Sequence, residues 1–78
     1  MELDNVITDG MNTIRHDAGL AFLNVECATK YISQLDSLTK NDIFLNSMIR
    51  KIYAEVKATT TLIENMDKIA ETVLDVTK

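Results

Sequence analysis

The chain has 78 residues, one cysteine, one histidine, two glycines, no proline and a formal net charge of −4. That length holds one domain, and a domain so small buries only a modest share of its surface; a single Cys forbids an internal disulfide, and one Cys with one His cannot build a structural zinc site. The longest strictly apolar stretch, Leu20 to Leu23, is too short to span a bilayer, no secretory pattern opens the chain, and no basic face suits nucleic acid, so the sequence is read as cytoplasmic, without cofactor or metal.

Charge is spread unevenly. Residues 1–39 carry six acids against two bases, and residues 40–78 carry six of each. With proline absent and only Gly10 and Gly19 present, nothing interrupts a long helix. Taking Met11 as heptad position a, positions a and d read Met11, Ile14, Ala18, Ala21, Val25, Ala28, Ile32 and Leu35, and Ile7 extends the row backwards. The spacing alternates three and four, the period of helices that pack along their length. It predicts a first helix over about residues 4–37. The alanines at 18, 21 and 28 would allow close backbone approach.

The link follows at Asp36-Ser37-Leu38-Thr39-Lys40-Asn41-Asp42. Thr39 with Asp42 three residues on reads as a capping box, and Asn41 competes as N-cap. The turn is therefore expected at about 38–40 and a second helix over about 41–76. That helix repeats the pattern with Leu45, Ile49, Ile52, Val56, Thr59, Ile63, Met66, Ala70 and Val73. Each helix would be about 50 Å long at 1.5 Å per residue. Matched lengths and a short link predict an all-α antiparallel hairpin of one domain.

Each helix carries more apolar surface than one seam needs. Met48, Leu62, Ile69 and Val76 fill g positions, Tyr53 and Leu74 add to the e side, and Phe22, Tyr31 and Leu38 flank the first seam. Faces this wide predict a second copy, making a homodimeric four-helix bundle with twofold symmetry. A hairpin docking on a different protein is the competing arrangement.

One residue could carry chemistry. His16 falls at position f, facing solvent, with Asp17 beside it at g. An exposed imidazole can act as a nucleophile, and a neighbouring carboxylate can orient it or accept its proton. Gly19 leaves room over it, and Leu20, Leu23 and Cys27 form an outer apolar strip. The plain alternative is a solvated surface histidine and a strip that belongs to the dimer. Carboxylate pairs such as Glu64 and Asp67 lack an accompanying Glu-x-x-His and read as solvated faces rather than a metal site. Cys27 reads as a small packing residue.

Arg15-His16-Asp17, followed by apolar Ala18, Phe22 and Val25, resembles the H-box of the dimerisation and histidine-phosphotransfer domain of two-component sensor kinases. The run Phe44-Leu45 through Ile49, Val56 and Ile63-Glu64 is similar to that family's return helix. The resemblance implies His16 as phosphoacceptor and Asp17 as its acid, with Gly19, Leu20 and Leu23 receiving a response-regulator receiver domain. It also implies a kinase ATP-binding domain elsewhere, since two isolated glycines cannot form a glycine-rich phosphate loop. Two positions depart from the family. Leu20 stands where Thr or Asn supports phosphatase activity, and Ala21 where many members have Pro. The alternative function is a non-enzymatic dimeric regulator or adaptor that grips a partner helix through the exposed strip.

Overall fold

The computed structural model describes residues 2–77. Two helices account for nearly all of them: α1, Glu2–Leu38, and α2, Ile43–Thr77. Their direction follows from two cross-links. Arg15 Nε donates to Asp67 Oδ1 at 3.0 Å, and Asn46 Nδ2 donates to Asp36 Oδ1 at 2.9 Å. Moving 21 residues towards the turn along α1 moves 21 residues backwards along α2, so the helices run antiparallel. The hairpin is a rod of 61 × 15 × 13 Å with both chain ends at one end.

The turn is built differently from its expected form. Asp42 is the cap of α2: its Oδ1 accepts from the Leu45 N–H at 3.0 Å, and its carbonyl takes the first helical bond, from Asn46 N at 2.9 Å. Thr39 serves the other helix. Its hydroxyl donates to Leu35 O at 2.7 Å and accepts from Asn46 Nδ2 at 3.2 Å, which engages it at the end of α1. With Thr39 occupied there, neither it nor Asn41 caps α2, and that helix starts two residues later than 41. Asn46 bonds to Asp36 and Thr39 together, so one amide ties the first turn of α2 to the last of α1.

The two helices meet along a different stripe from the a/d row. With Met11 and Ile49 both at position a, the most buried side chains are Ala18 and Ile32 on α1 and Ala70 on α2, all at a. The second row in the interface is e more than d, although Ile7, Ile14, Ala21 and Val73 at d are half-buried too. Phe22, Thr29 and Asp36 on α1, with Asn46, Thr60, Asp67 and Leu74 on α2, are half-buried. The d residues Leu35, Leu45, Ile52 and Met66 stay 42–50% exposed, and Ala28 is exposed too. The polar e residues explain the rotation. Arg15, Asp36, Asn46 and Asp67 find one another only when e faces e. Turning d inwards would cost those bonds and bury nothing polar in return.

Three adjacent threonines do not break α2. The hydroxyls of Thr59, Thr60 and Thr61 each donate to the carbonyl four residues earlier, at 2.8, 3.0 and 3.3 Å. Back-bonding of this kind satisfies the hydroxyl inside the helix.

Candidate functional site

His16 stands on α1 facing solvent, as position f requires. Asp17 is exposed beside it, and among the described residues neither side chain makes a hydrogen bond or ion pair. Consecutive helical residues diverge by about 100°, so Asp17 does not reach the ring by adjacency alone. Arg15 points elsewhere. Its guanidinium bonds Asp67 at 3.0 Å and lies 3.8 Å from Glu71. The Asp67 hydrogen bond, then its charge, holds the Arg15 guanidinium above its ordinary value. The Arg-His-Asp triplet is thus divided: Arg15 closes the hairpin, and His16 and Asp17 face out.

Nothing lies within 4 Å of where a Cβ on Gly19 would stand. The missing side chain opens a shallow groove lined by Ala18, Phe22, Ile63 and Glu64. Leu20 and Leu23 are 50% and 59% exposed, and Cys27 is a free, exposed thiol. The structure therefore sets His16, Leu20, Leu23 and Cys27 on the outside of α1, Asp17 exposed on the side of the d and g positions, and Gly19 at the edge of the hairpin groove. It brings no second catalytic-type group to the imidazole.

A larger surface runs along the other side. Positions d and g of α2 carry two exposed apolar groups, Leu45 and Ile52 near the turn and Leu62, Met66, Ile69 and Val76 towards the open end, with exposed Glu55 and Thr59 between them. Tyr31, Leu35 and Leu38 continue the surface on α1 near the turn, and Leu3 near the open end. Sequence reasoning put the d half of this row inside the hairpin. The signal for its true place was the filling of g by Met48, Leu62, Ile69 and Val76, which shifts the apolar arc of α2 past d and away from e.

Among the described residues no cluster of three or more His, Cys, Asp or Glu side chains could hold a metal ion, and no helix is long and apolar enough to cross a membrane. No protein-family model matches the chain, and neither a curated protein nor a solved structure is detectably similar to it.

Proposed function

We propose that the protein is a self-pairing helical module: two hairpins close into a four-helix bundle, and the bundle presents the outer face of α1 to a partner. The observation that carries this is the exposed d/g row. Among its described residues an isolated hairpin buries only Ala18, Ile32 and Ala70, too little core to offset the entropy of ordering its chain. Its accessible surface is 6131 Å², whereas a folded monomer of 8.8 kDa exposes about 4,800 Å² by the surface–mass scaling. The excess, roughly 1,300 Å² per chain, lies within the range that obligate homodimers bury. A second copy of the same row is the occupant whose chemistry matches it. The d residues, half-covered by the hairpin, become shared core once it is in place.

Sedimentation equilibrium tests the pairing. The expected mass is twice 8.8 kDa at tens of micromolar. Leu62→Glu with Ile69→Glu should dissociate it, while Leu20→Glu with Leu23→Glu should leave it paired. A wild-type mass of one chain would refute the module.

A second reading is favoured by one observation: the His16 ring is open to solvent and engaged by no other described residue. In that reading the bundle is a phosphoacceptor of the sensor-kinase type. A neutral imidazole nitrogen attacks the phosphorus of a donor phosphoryl group, the donor P–O bond breaks, and Asp17 or water takes the proton released from the ring. The donor is ATP bound on a separate kinase domain, and a receiver domain seated over Gly19, Leu20 and Leu23 takes the phosphoryl group onward. Incubation with a sensor-kinase catalytic domain and labelled ATP should give acid-labile label that His16→Ala abolishes. Wild-type protein that takes no label would leave the self-pairing interaction module as the function.

A further inference from the structure

Two hairpins can pair along the d/g row in two ways. With the turns together, the twofold axis runs along the rod and α1 of one copy faces α2 of the other. With the turns apart, the axis crosses the rod, and α1 faces α1 while α2 faces α2. Resting on the self-pairing proposed above, we infer that the copies lie with their turns at opposite ends.

The first argument is charge. The fold divides the rod into an open half and a turn half. Residues 3–19 and 61–77, at the open end, carry seven acids against two bases, a net of −5. Residues 20–60, at the turn, carry Glu26, Asp36, Asp42 and Glu55 against five bases, a net of +1. Turns together would set −5 against −5 across an interface between rods only 13–15 Å thick. Turns apart would set each −5 against +1. At physiological ionic strength the screening length is about 8 Å, so charges on abutting halves still act on one another.

The second argument is the polar waist of α1. Its d/g row is interrupted near the middle by Asp17 and Asn24, with small Ala21 between them. On α2 the same level holds Thr59, Leu62 and Met66, with Leu62 the most exposed at 68%. Turns together would bury Asp17 and Asn24 against those leucine and methionine side chains. Turns apart pair the midpoint of each helix with itself, so Asp17 and Asn24 meet their own polar stretch. The two apolar groups of α2 then meet each other, with Leu45 and Ile52 running against Val76 and Ile69, and Glu55 and Thr59 lie near the axis between them.

Paired spin labels decide the orientation. Lys40, exposed in the turn, is changed to Cys in a Cys27→Ala chain and labelled with a nitroxide. The expected label-to-label distance approaches the 61 Å length of the rod. Turns together would bring the labels within about 20 Å, because neighbouring helices pack about 8–10 Å apart, and that result overturns the inference while leaving the dimer intact. Thr61→Cys, exposed at mid-rod, gives a short distance in both arrangements and so reports pairing alone. No dipolar distance at either site, with a one-chain mass in the centrifuge, would overturn the pairing and the orientation together.

Discussion

Asp42 shows how much one side chain decides. Its carboxylate accepts the Leu45 N–H, one of the donors that the first turn of any helix leaves unpaired. We expect Asp42→Ala to cost about 1 kcal/mol, read as a lower midpoint in urea followed by circular dichroism. His16 stands at the opposite extreme. It is exposed and makes no hydrogen bond or ion pair with another described residue, so His16→Ala should leave stability within about 0.5 kcal/mol of wild type in the same measurement. A large loss there would place the imidazole in an interface and end its candidacy as an open nucleophile. Arg15 lies between the two. Its guanidinium is held above its ordinary value by Asp67, so what the pair contributes is present at neutral pH and is lost in strong alkali, as pH rises through the folded value. As an exposed pair screened by water it orients the helices more than it stabilises them.

At the scale of the helix, the stripe that meets its neighbour is chosen by polar side chains as much as by apolar ones. Position a supplies the buried apolar row and e supplies the bonds Arg15–Asp67 and Asp36–Asn46. Ile32 is the largest side chain in the buried row, 7% exposed beside the half-buried Ile49. We expect Ile32→Ala to cost about 2–4 kcal/mol, because the removed atoms leave a gap that a rod with so few core residues cannot close. Thermal unfolding should show it, and an unchanged midpoint would mean that a is not the inner row. The heptad spacing made both helices, their lengths and their antiparallel order legible. The e-facing rotation was less legible, since the centres of the a/d and a/e stripes lie only about 50° apart on the helix and both include a. Only the cross-helix partners of Asp36 and Arg15 separate them, and those partners are distant in sequence.

For the whole molecule, a rod of 61 Å with a radius of gyration of 17.7 Å is far from the roughly 11–12 Å of a compact chain this long. Such a shape keeps its surface unless something covers it. If a second copy does, thermal stability should rise with protein concentration, because association is linked to folding. We expect the midpoint to climb by several degrees over a hundredfold rise in concentration; a midpoint independent of concentration would point to a hairpin stable by itself. The exposure of His16, at an outer position next to an acid, was legible. What surrounds it was not, because the acid adjacent in sequence points along a different direction from the ring.

The sequence by itself determined what local chemistry can determine. Proline-free runs with three-four apolar spacing can only be long helices, a short polar link can only fold them back, and position f can only put His16 in solvent. The tertiary structure decided the rest: which residue caps α2, which of two overlapping stripes closes the hairpin, and which apolar row is left outside. Those depend on where a carboxylate, a guanidinium or an amide finds its partner across the turn. Such partners are set by rotation of one helix against another, a degree of freedom that periodicity along a single helix does not contain.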